Sequence, residues 1–356
     1  MKIHFIINSL GIGGAERVMI LLANYFAKKN HEVAIITFNE PEEFKPNDNV
    51  IRIRLHGGNI KNHTLRSIKN LFNQYHDKDN RPDVIIPFMT RSNFIGIIVG
   101  KRYGIKTISS EHINHLDKTD FIGNLTRKYL YKFSDVLTVL TDFDKKFYKK
   151  RGVQVEVMPN PSTFNIYKEQ IRDRKKIVLA IGNLNRYYHK GFDNLVTLIA
   201  PIFQKHPDWI LKIVGGGQEG LKFLKTLVDN NGLSQQVVFE GYSNKVQELM
   251  RESEIFIMPS RFEGLPMVLI EAMSQGMACI SYDCITGPSD IITHNVNGIL
   301  VEDQNAMDMA EQLDILISTP ELRTKLADNG IQSLDKFKID VIYKKYVDIF
   351  HDILKL

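Results

Sequence analysis

Residues 260–273 read Ser260-Arg261-Phe262-Glu263-Gly264-Leu265-Pro266-Met267-Val268-Leu269-Ile270-Glu271-Ala272-Met273. An apolar run, Ile255 to Met258, comes just before it and has the length and composition of a buried strand. Gly264 lets the backbone come close to a ligand, and Pro266 suits the first turn of a helix. Glu271 lies two turns further on, so the two carboxylates can face one crevice. Strand, turn and helix in this order form the unit of an open α/β sheet, which binds ligands outside the carboxyl ends of its strands. The free N–H groups at the helix start favour an anion there. A phosphate-bearing ligand with hydroxyls on either side, such as a sugar nucleotide, satisfies all of these groups together.

The same alternation runs through the whole chain. Apolar runs at 2–8, 32–38, 50–55, 83–88, 106–110, 135–140 and 154–158 read as strands. Helical patterns lie between most of them, for instance Ala15–Lys29, Leu65–Tyr75, Ser92–Tyr103 and Phe143–Lys150. This predicts a parallel sheet with helices on both faces. Pro159-Asn160-Pro161-Ser162 breaks the pattern, and the charged run from Tyr167 to Lys176 reads as a linker. The pattern then starts over, with strands at 177–181, 210–214, 236–240, 254–258, 278–282 and 298–301 and a helix at Phe192–Phe203. Val341–Leu354 closes the chain as a strongly amphipathic helix. The expected class is α/β, two tandem Rossmann-like doubly wound domains over 1–165 and 175–336, with the final helix at 337–356.

Composition agrees with a soluble globular protein: 356 residues, 43% hydrophobic and 24% charged. No apolar run reaches the roughly 18 residues of a membrane-spanning helix. Met1 to Asn8 reads as a first strand rather than a signal peptide. Cys279 and Cys284 match no zinc or redox spacing, so a reduced, cytosolic protein is expected. The net charge of +5 is unevenly spread: residues 1–170 hold 26 Lys+Arg against 17 Asp+Glu, and residues 171–356 hold 20 against 24. The basic half suits an anionic partner such as membrane headgroups, a phosphorylated substrate or nucleic acid, or is simply a solvated surface. No nucleic-acid motif supports the last of these partners.

Further loops at strand ends carry candidate chemistry. Asn8 to Arg17 joins a strand to a helix, and Gly13 and Gly14 allow backbone amides to approach a phosphate or sugar. It is not a nicotinamide fingerprint. Ser109-Ser110-Glu111-His112 ends a strand, where His112 is a hydrogen-bond donor to a substrate or a satisfied loop histidine. Gly182 to Phe192 brings Arg186 and Lys190 to a strand end, where a diphosphate needs neutralising. Gly215-Gly216-Gly217 is another close-approach loop. The pairs Asp77/Asp79 and Asp142/Asp144 read as a charged loop and a helix start rather than as metal ligands. Phe121 to Phe133 alternates aromatics with Arg127, Lys128 and Lys132, a helix that would rest on an anionic membrane surface or pack conventionally.

Taken together, these residues resemble glycosyltransferases of the GT-B fold, in the retaining family 4 of glycosyl transferases group 1. The resemblance spans essentially the whole chain. It rests on Glu263-Gly264-Leu265-Pro266 followed by Glu271, an E-x7-E motif, and on Gly13-Gly14-Ala15-Glu16-Arg17 in the first loop. Within that family the chain is most similar to bacterial enzymes that extend lipid-linked oligosaccharides.

The resemblance implies two domains facing across a cleft, with the final helix crossing back onto the first. It implies that Glu263 contacts the donor sugar, with the backbone at Gly264 and Leu265 near the sugar and phosphates, and that Glu271 holds the ribose. Lys190 would neutralise the diphosphate, His112 would lie by the transferred sugar, and Gly14 near the diphosphate and acceptor. One departure stands out: the family usually reads Gly-Arg where this chain has Gly182-Asn183, and Arg186 is the candidate replacement.

The expected reaction is transfer of a hexose or N-acetylhexosamine from a UDP-sugar to a polyprenyl-diphosphate-linked glycan, with retention and with no metal or other cofactor. It would take place at the inner leaflet of the cytoplasmic membrane. A sugar-nucleotide epimerase on the same fold and a basic-surface binding protein are the alternatives.

Overall fold

A computed structural model describes residues 1–11, 13–167 and 174–355. The charged run expected as a linker falls largely on 168–173, outside the described residues. Two compact units result, one of Met1–Thr163 with Phe337–Leu356 and one of Phe164–Lys336.

The first unit holds strands β1 (Lys2–Ile7), β2 (Glu32–Thr37), β3 (Ile51–Arg54), β4 (Val84–Pro87), β5 (Lys106–Ser110), β6 (Val136–Val139) and β7 (Val155–Val157). They form one parallel sheet in the order β3-β2-β1-β4-β5-β6-β7. Ile3, Phe5, Ile6, Val84, Ile85 and Ile86 are fully buried, because helices cover both faces of a parallel sheet. The final helix, Ile339–Leu354, belongs to this unit. Its Tyr343, Tyr346 and Phe350 pack edge-on around Phe26 of the helix Gly14–Lys28, at ring distances of 5.0, 5.7 and 5.9 Å. His31 Nε2 lies 2.9 Å from the Tyr343 hydroxyl, and Tyr25 hydrogen-bonds Asp340.

The second unit holds β8 (Lys175–Ile181), β9 (Ile210–Val214), β10 (Val237–Gly241), β11 (Ser253–Met258), β12 (Ala278–Tyr282) and β13 (Ile299–Val301), in the order β10-β9-β8-β11-β12-β13. All pairs are parallel. β8 begins two residues before the expected Ile177. Lys175 and Lys176 lie at its solvent end and pair with Glu252 and Asp208, so polar residues extend a strand that the apolar pattern cuts short.

The segment expected as one helix over Phe121–Phe133 is interrupted. An α-helical turn, Phe121–Leu125, passes into a wider π turn, Thr126–Leu130, and a 3₁₀ turn, Tyr131–Phe133. The Thr126 hydroxyl donates to the Ile122 carbonyl at 2.7 Å, a side-chain bond that competes with the helix ladder. The widened turn brings both Arg127 and Tyr131 into the interior.

Candidate functional site

In the second sheet the strand order reverses between β8 and β11, the position at which open α/β sheets bind ligands. Asn183 leaves β8 and accepts the Asn185 N–H at 2.9 Å, which opens a 3₁₀ turn over Leu184–Arg186. A one-turn helix, Tyr187–Lys190, follows and ends at Gly191 with φ +67°. A Cβ on Gly191 would collide with the Pro259 carbonyl oxygen, so the loop after β8 lies directly against the end of β11.

Arg261 closes the seam. Its guanidinium reaches both Asp193 oxygens at 2.7 and 3.1 Å, donates to the Tyr188 carbonyl at 2.6 Å and lies 4.3 Å over the Tyr188 ring. This planar, forked cation suits a bidentate pairing that lysine could not make.

Inside that frame Lys190 Nζ stands 2.6 Å from Glu263 Oε1, and the Ser260 hydroxyl donates to the same oxygen at 2.7 Å. The Lys190 and Glu263 side chains are only 20% and 11% exposed, so their attraction is screened less than on an open surface. Thr286 donates to the Glu263 carbonyl at 2.5 Å. Gly287, at φ +96°, packs so closely on Gly264 that a Cβ would strike the Gly264 carbonyl. The Glu263–Gly264 peptide is thus clamped between the loops after β8 and β12.

Other expected donor residues lie around this centre. Leu265 and Glu271 are buried, Glu271 on the helix Met267–Ser274. Gly216 is exposed, and its carbonyl accepts the Leu184 N–H at 2.8 Å. Its neighbours Gly215 and Gly217 leave no room for a Cβ against Gly182 and Asn185, so the triple glycine seats the loop after β8. The Arg186 side chain is exposed, with no ion pair among the described residues.

In the first sheet the order reverses between β1 and β4. Gly14 is exposed at the start of the helix after β1, with open space where a Cβ would stand. His112 follows β5, its ring stacked on Phe88 at 4.6 Å and its Nε2 3.0 Å from the Ser110 hydroxyl. Burial pushes its pKa down to about 4, with Asn160 pulling weakly the other way. At neutral pH His112 is an uncharged imidazole, able to donate or accept a hydrogen bond but not to act as a standing cation.

Arg127 does not sit where a membrane contact requires. It is 6% exposed, and its Nη1 donates to the carbonyls of Asp117 (2.8 Å) and His115 (3.3 Å). Lys128 and Lys132 are exposed, each about one ring away from its neighbour, Tyr129 and Phe133, at 5.1 Å. Phe121 is 79% exposed nearby in sequence.

Several residues that shape these sites carry no signature of their own. Ser260 and Arg261 flank Glu263, and their proximity to it was the available signal. Asp193 and Phe88 become meaningful only once strands are paired.

Residues 12–162 match Glycosyltransferase Family 4, and residues 162–333 match Glycosyl transferases group 1. The chain is 29% identical to an uncharacterized glycosyltransferase of Haemophilus influenzae, covering 98% of this chain and 99% of that one. It is 28% identical, over 99% of both chains, to a Campylobacter jejuni alpha-1,4-N-acetyl-D-galactosaminyltransferase named for a diNAcBac-PP-undecaprenol-linked GalNAc disaccharide. Its fold is that of the lipopolysaccharide outer core galactosyltransferase WaaB, with a TM-score of 0.78, 23% identity and full coverage of both chains. Anabaena HepE, solved in complex with UDP, superposes with a TM-score of 0.80 at 16% identity, over 99% of this chain and 100% of that one. The fold and the paired strand-end loops define a GT-B sugar-transferring enzyme. The chain belongs to the family 4, group 1 glycosyltransferases.

Proposed function

We propose that this enzyme moves a hexose or N-acetylhexosamine from a UDP-sugar to a glycan carried on a polyprenyl diphosphate, with retention of configuration and without a metal. The observation that carries the donor assignment is the Lys190–Glu263 pair at the switch point of the second sheet. A diphosphate requires a cation, and a sugar requires hydrogen-bond acceptors for its hydroxyls. This pair offers both within one clamped loop.

In the proposed reaction the bond between the anomeric carbon and the donor phosphate breaks, and the electron pair leaves with UDP. Lys190, with Arg186, stabilises the charge that gathers on the phosphate. Glu263 and the backbone at Gly264 and Leu265 hold the sugar as it becomes oxocarbenium-like. Glu271 takes the ribose, and Gly216 lies on the nucleotide side. The acceptor hydroxyl attacks from the face the phosphate leaves, which retains configuration, and its proton passes to the departing phosphate. His112 contributes a neutral imidazole beside the transferred sugar, and Gly14 leaves room for the diphosphate and acceptor. The relatives support the acceptor class, and HepE with UDP supports the nucleotide.

Peripheral attachment to the inner leaflet of the cytoplasmic membrane fits Lys128, Lys132 and the exposed Phe121 and Phe133. No helix among the described residues is long and apolar enough to cross a membrane.

The test is incubation with a panel of UDP-sugars, with and without a short polyprenyl-diphosphate glycan, and product analysis by NMR. Transfer giving the donor's anomeric configuration supports the reading. Conversion of the sugar nucleotide without acceptor would make the enzyme an epimerase, and an inverted product would remove retention.

A further inference from the structure

We propose that Glu111 is a positioning residue for His112: its carboxylate ties the turn after β4 to the end of β5 and so keeps the Phe88 and His112 rings stacked. This rests on the reading of His112 as a contact of the transferred sugar.

Glu111 is the residue before His112 and is 2% exposed. Its Oε2 accepts two hydroxyls, Thr90 at 2.7 Å and Tyr131 at 2.5 Å. Thr90 is the first residue of the helix Thr90–Tyr103, directly after Met89. Met89 has φ +71° and ψ 149°, a conformation that a residue with a side chain rarely adopts. Something must hold it there. Its N–H donates to the Ser110 carbonyl at 2.9 Å, and its carbonyl accepts from Asn93 at 2.9 Å.

Asn93 is itself fully buried and reads both backbone groups of Ser110, accepting its N–H at 3.2 Å and donating to its carbonyl at 3.1 Å. The same amide donates to the Tyr131 hydroxyl at 3.0 Å. The polar network therefore runs Ser110, Asn93, Tyr131, Glu111, Thr90 and returns to the strained turn. Phe88 and His112 leave it on the two sides, one before Met89 and one after Glu111.

A packing role alone does not account for this choice of residue. A buried carboxylate is costly, and an apolar side chain of similar size would fill the space without that cost. Burial does raise the Glu111 pKa, against the Tyr131 and Thr90 hydrogen bonds and the nearby Arg127 cation. The inward Arg127 thus supplies the compensating charge in the interior. A carboxylate oxygen that accepts from two separate elements, Thr90 and Tyr131, fixes one geometry where apolar contacts allow several.

The experiment compares Glu111→Ala with Glu111→Gln in the full chain. The glutamine keeps an oxygen for Thr90 and Tyr131, and the alanine does not. Two readouts are taken: the ring resonances of His112, assigned by their loss in His112→Asn, and transfer kinetics per folded enzyme. Glu111→Ala should shift the His112 resonances and lower kcat at least tenfold with KM for the donor within twofold. Glu111→Gln should leave the resonances near wild type and kcat within threefold.

If Glu111→Ala does not fold, Tyr131→Phe carries the same comparison, with a smaller shift of the same resonances. Unmoved His112 resonances in the folded variant overturn the proposal, as does a kcat unchanged in Glu111→Ala when the wild type transfers sugar. A wild-type protein that transfers no sugar overturns the functional reading instead, and the resonances still decide the clamp.

Discussion

Lys190 Nζ and Glu263 Oε1 lie 2.6 Å apart although they follow different strands and are 73 residues apart in sequence. They bridge the point where the strand order of the second sheet reverses. In the free protein each satisfies the other. In the proposed complex a diphosphate takes the lysine and sugar hydroxyls take the carboxylate, so the donor replaces a contact rather than filling unpaired charge. Glu263→Ala is expected to lower kcat/KM at least about a hundredfold, as does loss of a single transition-state contact elsewhere. Lys190→Ala should do the same, and the double variant should lose less than the product of the two, because the residues are in contact. A steady-state double-mutant cycle measures this, with circular dichroism to establish folding. Glu263→Ala at wild-type kcat/KM would remove the donor role.

Gly191 gives the loop carrying Lys190 its path. Its φ is +67°, and a Cβ would meet the Pro259 carbonyl. Gly191→Ala combines a left-handed backbone with a backbone collision, for which about 3 kcal/mol or more of stability is expected to be lost. Gly104 has nearly the same φ, +69°, but open space where its Cβ would stand. Gly104→Ala should cost only about 1 kcal/mol. Urea unfolding of the two variants separates collision from backbone strain. Equal losses would show that Pro259 yields and that the seam is not tight.

Much of this architecture is readable before any coordinates. Buried parallel strands are unbroken apolar runs, so Ile255 to Met258 and its counterparts stand out, and alternation with helices follows. Gly264 and the run Gly215-Gly216-Gly217 signal close approach, whereas the tight fit of Gly191 against Pro259 emerges only in the structure. What the chain hides is pairing at a distance. Arg261 and Asp193 are 68 residues apart and nothing local joins them. Asn183 falls where the resemblance implies an arginine, and its side chain shapes the next turn through the Asn185 N–H. Arg127 was misleading for a different reason. Aromatic and basic residues alternate on both surface and buried turns, and the π turn at Thr126–Leu130 alters which of them face inward.

The different burial of Arg127 and its two basic neighbours makes the membrane contact testable residue by residue. Lys128 and Lys132 are exposed, whereas Arg127 is buried and bonded to two carbonyls. Each lysine near an anionic surface contributes about 1 kcal/mol, so Lys128→Ala with Lys132→Ala should weaken binding to phosphatidylglycerol vesicles about thirtyfold. The variant should keep its melting temperature. Arg127→Ala should instead destabilise the fold by about 3 kcal/mol, since it removes a buried hydrogen-bonded cation. Vesicle sedimentation paired with thermal melts tells the two classes apart. Unchanged sedimentation of the double lysine variant would remove this face as the membrane contact.

Acid sensitivity should originate in two imidazoles, the buried His4 and the half-buried His112. His4 is 3% exposed, with Nδ1 3.0 Å from the Tyr75 hydroxyl, and burial, helped by Lys2, pushes its pKa down to about 3. His112 is pushed down to about 4 by its own burial. In the unfolded chain both titrate near about 6.5, so the unfolded state takes up protons that the folded state refuses. The stabilising contribution is therefore complete above about pH 6.5 and is lost as pH falls toward about 4 for His112 and about 3 for His4. Each imidazole removes at most about 1.4 kcal/mol per pH unit. His31 and His63, also lowered mainly by burial, add to the same slope. The raised pKa of Glu111, caused by its burial, acts in the opposite direction. Urea midpoints between pH 7 and pH 5 should fall steadily in the wild type, and less steeply in His112→Asn by about one imidazole's share. A slope unchanged in His112→Asn would show that His112 is hydrated and titrates normally in the folded protein.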